Sequence, residues 1–354
     1  MKIVQYCNYT FPPLGHIGVE RVASYLAQGL VELGHEVFLK CNPGSTHKYA
    51  QVITSLDQLP SSIDVIHVHR FSEIYELYIR GLTWVFSHHG VNADSVIIKR
   101  VPGILRNTIF VSRRHAEIHN SDKFVLNGLD PDDYMLVNKK EDYYLWLAGL
   151  AWGERKGLYT ALRLAKETGI RLKIAGPGPE NLEAVIQASK EYPNIEYMGL
   201  VEGKQKLELL GRAKALLFPI NWEDPCPLVP IEAMFCGTPI ITKNIGAMSE
   251  LVDSDTGIFC ERYEDILEAL NEIHKFDPET IRQKAVDKFN HIKCASDYLE
   301  MYKRIECERK NTKVSGRYLG LPTSFWLSPK GIQMNNTFQP YIQKFKRVAN
   351  KLSF

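Results

Sequence analysis

The sequence predicts an α/β protein built of two Rossmann-like, doubly wound parallel-sheet domains. Three observations carry that expectation. Short apolar strands alternate with amphipathic helices from the N-terminus onward. The same alternation starts afresh at Tyr143, after the polar, aperiodic run Asn138–Asp142. A chain of 354 residues is also long enough for two cores of ordinary size. Strand–helix–strand units make parallel sheets, which bind ligands at the carboxyl ends of their strands. The expected division is a first domain over 1–138, a second over 143–308 and a basic tail over 309–354.

The first domain opens with a strand at Lys2–Cys7. A turn-rich loop through Gly15–Gly18 leads into a helix from about Val19 to Leu33, whose apolar residues recur at helical spacing. Gly34-His35 stops it, and Glu36–Lys40 returns as a strand. Glycine lets backbone approach a ligand and a helix N-terminus favours anions, so Gly18 is a candidate binding position. Asp64–His69 and Trp84–Gly90 are further strand ends. His67 and His69 share one face and read as structural. His88 and His89 are adjacent; neighbours rarely face one ion and no third ligand stands nearby, so the pair is not read as a metal site. Ile109–Ser112 and Phe124–Asp130 read as the last two strands. Asp130-Pro131-Asp132 and Asp253-Ser254-Asp255 are nominal D-x-D pairs, and acids in Pro and Ser turns read as turn formers.

In the second domain, strand Tyr143–Leu147 is followed by the loop Ala148–Gly157 and a helix to about Lys166. Arg155 and Lys156 suit a diphosphate through charge-assisted hydrogen bonds; the plain alternative is a solvated basic pair. Strand Arg171–Ala175 ends in Gly176-Pro177-Gly178-Pro179. Helices Glu180–Glu191 and Lys204–Arg212 flank strand Ile195–Met198. The apolar strand Ala215–Ile220 then runs into Asn221–Pro239, NWEDPCPLVPIEAMFCGTP. Pro225, Pro227 and Pro230 restrict the backbone just before the helical run Ile231–Phe235, and Gly237 ends it. Unpaired N–H groups near Leu228 and Val229 then face the carboxyl end of a strand, where an anion fits. Asp224 and Glu232 flank that point. Acids in a first helical turn also complement the dipole without any further role.

Composition narrows the class. With 45% hydrophobic and 24% charged residues the chain reads as soluble and globular. No apolar run approaches the roughly 20 residues a membrane span needs, and the N-terminus does not read as a signal peptide. Seven scattered cysteines without C-x-x-C spacing argue against a disulfide scaffold or a cysteine zinc site, and fit a reducing compartment. Residues 309–354 hold nine Lys or Arg and no acid, so the net +2 of the whole chain leaves −7 for residues 1–308. The tail mixes aromatics and cations at Phe338–Val348. It reads first as a segment crossing back to the first domain, then as a membrane-surface contact. Nucleic acid comes last, because no recognition motif accompanies the basic residues.

The Asn221–Pro239 stretch resembles the acid-x7-acid signature of retaining glycosyltransferases of family 4 (glycosyl transferases group 1), which have the GT-B fold. Glu232-Ala233-Met234 and Cys236-Gly237-Thr238-Pro239 match it; Asp224 stands for a Glu and Cys226-Pro227 for Phe-Gly. Gly18, Glu20, Arg21 and Val22 resemble the family's first loop, with Ile17 in place of a Gly. Lys156-Gly157 resembles its diphosphate loop, with Leu150 where the family has Arg. The resemblance covers about residues 1–305 and is densest over 143–260. It implies transfer of a hexose from a UDP- or GDP-sugar to a glycan, lipid-linked or protein acceptor, with retention and without a metal or other cofactor. It implies donor contacts at Gly18, Arg155, Lys156, Gly176, Val201, Asp224, Leu228, Val229 and Glu232, with Glu232 on the ribose. His89 and Asp224 fall at the donor sugar as the catalytic pair, and Glu250 reads as a cap or structural acid. A cytoplasmic location with peripheral membrane contact through the tail goes with this reading. Two rivals remain: a GT-B sugar-nucleotide epimerase, and a degenerate transferase serving as a scaffold, which the changes at Ile17, Leu150, Asp224 and Pro227 motivate.

Overall fold

The computed structural model describes residues 1–13, 18–79, 82–90 and 104–311. The expected loop residues Gly15–Ile17 and the tail beyond Asn311 lie outside the described residues. In the first domain, β1 (Lys2–Tyr6), β2 (Glu36–Lys40), β3 (Gln51–Ile53), β4 (Val65–Val68), β5 (Val85–His88) and β6 (Thr108–Phe110) form one sheet in the order β3-β2-β1-β4-β5-β6. Every pairing is parallel. The helices are α1 (Gly18–Glu32), α2 (Phe71–Ile79) and α3 (Arg113–Glu117). The strands are short and buried on both faces, which is why they read as continuous apolar runs.

The second domain repeats this plan. Its strands are β7 (Tyr144–Leu147), β8 (Leu172–Ala175), β9 (Ile195–Gly199), β10 (Ala215–Phe218), β11 (Ile240–Thr242) and β12 (Gly257–Phe259). Their order is β12-β11-β10-β7-β8-β9, which is the first domain's order counted from β7, and again every pairing is parallel. Helices α4 (Leu158–Thr168), α5 (Leu182–Glu191), α6 (Gly203–Arg212), α7 (Leu228–Phe235), α8 (Met248–Leu251), α9 (Tyr263–Glu272) and α10 (Pro278–Phe289) cover both faces. In each domain the strand order reverses beside the central strand, β1/β4 and β7/β10, and a crevice opens there.

Two expectations change. Phe124–Asp130 is not a full strand: it makes two isolated bridges, Phe110 to Phe124 and Leu129 to Asn290. Gly128 lets the chain pass close to Cys294, where an added Cβ would lie 2.4 Å from the Cys294 Cβ. Leu129 N donates instead to Phe289 O at 2.9 Å. The return to the first domain comes ahead of the basic tail. Helix α11 (His291–Asn311) packs along α1 so closely that a Cβ on Gly29 would meet His291 O at 2.5 Å. Its Tyr298 and Tyr302 are buried in the first domain's core, so residues 291–308 belong there by packing. No helix among the described residues is long and apolar enough to cross a membrane.

Candidate active site

The two crevices face one cleft of about 590 Å³ lined by both domains. Helix α7 starts where the prolines place it. Pro227 is its N-cap at φ −68°, ψ 134°, a geometry that suits proline, and no side chain caps the first turn among the described residues. The substitution of Pro227 for glycine is therefore compatible with this helix start. Leu228 and Val229 line the cleft, and as first-turn residues their amides have no partner within the helix.

Glu232 lies one turn further along α7 and is fully buried. Its Oε1 accepts from Arg21 Nη2 at 2.5 Å, Lys206 Nζ at 2.8 Å and the Tyr134 hydroxyl at 3.1 Å. Burial pushes its pKa up, but Lys206 and Arg21 outweigh that and hold it at about 2. Its second oxygen, Oε2, is buried and has no partner among the described residues. A carboxylate clamped on one oxygen and open on the other is poised to accept a hydrogen bond from a ligand.

Asp224 is buried and its Oδ2 is ion-paired with Lys156 Nζ. The turn that carries Asp224 is clamped by Gly246 at φ +63°, where a Cβ would lie 2.5 Å from Asp224 N. Glu223, its neighbour, points away and pairs with Arg114 at 2.8 Å in an exposed bridge, so Asp224 is the acid in the cleft. The Lys156 loop is seated by Trp146 Nε1, which donates to Lys156 O at 2.9 Å. Arg155 lies over the rings of Trp152 and Trp222, 5.3 and 5.0 Å from their centroids. Leu150 is fully buried and cannot replace the family's arginine, whereas Arg155 does reach the cleft. Gly176 at φ +144° touches Ala148 O so closely that a Cβ would overlap it at 1.8 Å. Gly176 and Val201 both line the cleft.

The first domain contributes Gly18, Arg21, His89 and Asn127. His89 Nε2 lies 3.1 Å from His69 Nδ1, and burial lowers its pKa to about 4, so the ring is neutral. Behind it runs a polar chain. His69 Nε2 meets Gln5 Oε1 at 2.7 Å, and Tyr302 OH meets His67 Nδ1 at 2.8 Å. His67 and His69 are thus structural partners, as read from the sequence. The nominal D-x-D acids are turn formers: Asp130 caps its own turn, and Asp253 and Asp255 pair with Lys284. Glu250 is a cap across the cleft, accepting from the Arg113 and Arg114 amides at 2.7 Å each.

All ten sequence-derived site residues line this one cleft. Sequence reasoning missed Arg21, Tyr134, Lys206 and the Trp152–Trp222 pair. Arg21 carried a signal, since it sits within the matched first-loop motif. Lys206 carried none, because Lys204 on the same helix looks equivalent in sequence and pairs outward with Glu208. The charged side chains lining the cleft are Arg21, Arg155, Lys156 and Lys206 against Asp224 and Glu232. The excess of positive charge suits a phosphorylated ligand.

Residues 142–275 match the family described as Glycosyl transferases group 1. Over 113 residues the chain is 34% identical to the glycogen synthase of Mycobacterium tuberculosis, covering 30% of this chain and 27% of that one. Over 163 residues it is 29% identical to the N-acetyl-alpha-D-glucosaminyl L-malate synthase of Bacillus anthracis, covering 43% and 42%. The matched segments thus span less than half the length of these curated relatives. Among solved structures, AviGT4, a glycosyltransferase involved in Avilamycin A biosynthesis, superposes with TM-score 0.69 at 24% identity over 87% of this chain and 98% of that one. Sucrose-phosphate synthase of Thermosynechococcus elongatus gives 0.68 at 16% over 87% and 99%. HepE of Anabaena, solved with UDP and glucose, gives 0.63 at 13% over 86% and 100%. The fold is that of GT-B glycosyltransferases, and the match to the glycosyl transferases group 1 model lies in the second domain.

Proposed function

We propose that the chain is a retaining hexosyltransferase that uses a UDP- or GDP-sugar. The observation that carries this is Glu232: fully buried, anchored through Oε1 and open at Oε2, beside the uncapped start of α7. In this reading Oε2 accepts the donor's ribose hydroxyls, and Val201 lies beside the base. The Leu228 and Val229 amides, Lys156 and Arg155 take the diphosphate, so that charge developing on the leaving group meets preplaced donors. Lys156 then exchanges Asp224 for phosphate, which frees Asp224 for the sugar hydroxyls. His89, neutral, meets the sugar from the first domain. No protein nucleophile is assigned; the acceptor attacks from the face the diphosphate leaves, and configuration is retained. These cations do the work that a metal does elsewhere, so the transfer needs none. HepE's complexes with UDP and UDP-glucose support the same donor class here.

The acceptor is a glycan, a lipid-linked glycan or a protein. The location is cytoplasmic, with the basic tail touching the membrane surface. The test is thermal shift with UDP, GDP, ADP and TDP on the wild type and on Glu232→Ala. Stabilisation by one nucleotide, lost in the variant, is the expected result. No stabilisation by any at millimolar concentration would overturn the donor site and favour the scaffold. Conversion of a free sugar nucleotide without acceptor would favour the epimerase.

A further inference from the structure

A second cluster lies outside the cleft. His88 ends β5, His115 lies on α3, and His119 follows in the turn after it, one helical turn from His115. Their ring nitrogens lie within 4.8 Å of one another, and His88 Nδ1 is 3.1 Å from His115 Nε2. The three rings are 0%, 1% and 5% exposed. Phe110 stacks on His119 at 4.9 Å, and Phe86 meets His88 edge-on at 5.7 Å. His88 Nε2 and His115 Nδ1 are buried without a hydrogen-bond partner among the described residues. The nitrogens that face each other, His88 Nδ1 and His115 Nε2, are the pair a shared ion would take in place of the hydrogen bond between them. The cleft chemistry uses none of these rings, since His88 and His89 point to opposite sides of the chain as strand residues do.

We propose that His88, His115 and His119 form a structural metal site whose ion is zinc. The donor set selects the ion. Three imidazoles with no carboxylate in the cluster suit zinc and not magnesium or calcium, which need oxygen ligands. Zinc–nitrogen bonds of about 2.0–2.1 Å in a tetrahedron hold ligand nitrogens roughly 3.3 Å apart. His88 Nδ1 and His115 Nε2 already stand near that separation, and a ring nitrogen of His119 lies within 4.8 Å of them. The ion ties the end of β5, which delivers His89 to the cleft, to α3, whose first amides meet Glu250 of the second domain. The sequence reading set His88-His89 aside for want of a third ligand. The partners instead stand 27 and 31 residues beyond His88 and become neighbours only when β5, β6 and α3 pack.

The test uses the full chain expressed in zinc-supplemented medium, dialysed against a weak chelator and measured by elemental mass spectrometry. About one zinc per chain is expected, and less than about a tenth of that in His115→Ala/His119→Ala. Wild type stripped with a strong chelator should melt lower, recover with zinc, and show tetrahedral d–d absorption when given Co²⁺. Because these readings are made on wild type, they stand even if the double variant fails to fold. Folded wild type that holds no zinc and gives no Co²⁺ spectrum would overturn the site, as would zinc retained in full by the double variant. Nucleotide thermal shift in the same samples reports separately on the donor site.

Discussion

The two domains share one strand order and differ in how they hold their share of the cleft. The second domain concentrates its densest contribution in one continuous piece, β10 through α7, where Asp224, Leu228, Val229 and Glu232 all lie within nine residues. The first contributes from separate places: Gly18 and Arg21 on α1, His89 after β5, Asn127 beyond β6. The two meet at one carboxylate, where Arg21 of the first domain and Lys206 of the second both bind Glu232 Oε1. The second domain therefore holds the anchoring acid, and the first supplies charge that depends on the domains coming together.

The sharpest way to break this comparison is Glu232→Ala. It removes the acid both domains use and leaves two cations without their partner. We expect kcat/KM to fall by about 100-fold or more, the cost of losing a pair of charge-assisted hydrogen bonds. A fall under tenfold, measured with a sugar nucleotide that stabilises the wild type, would remove Glu232 from the donor site. Arg21→Ala should cost less, about tenfold, because Lys206 remains on the same oxygen. If it equals Glu232→Ala, the first domain is the senior partner at this point.

Acid separates the domains further. Burial holds His67 and His69 neutral, with pKa values well below their ordinary 6.5, so their contribution to the first domain's stability is fully present above 6.5 and is lost as pH falls from there. Glu232, depressed from 4.5 to about 2 despite burial, contributes above 4.5 and is lost only as pH falls toward 2. Hydrogen exchange at pH 5.5 should therefore accelerate in β4 and β5 before β10 and α7, and His69→Gln should reduce that difference. Equal acceleration in both would sink the assignment. The smallest effect belongs to Arg114→Ala. Its bridge to Glu223 is exposed at both ends, so denaturant melts should shift stability by less than about 1 kcal/mol.

How much was legible follows from the same contrast. The sequence alone determined two parallel-sheet domains, most of their strands, and the residues that line the second domain's side of the cleft. These rest on local causes: apolar periodicity, prolines confined to the start of α7, and glycines where no Cβ fits, as at Gly176. Only tertiary structure decided the rest. Phe124–Asp130 looks like a strand, but it keeps only isolated bridges and passes close to Cys294 at Gly128. The return helix looks like part of the second domain until Tyr298 and Tyr302 are seen in the first domain's core. Lys206 is chosen over Lys204, Asp224 over Glu223, and Arg21 for Glu232 by the packing of helices far apart in sequence. A side chain's direction depends on what closes over it, and that partner is not encoded in its own stretch of chain.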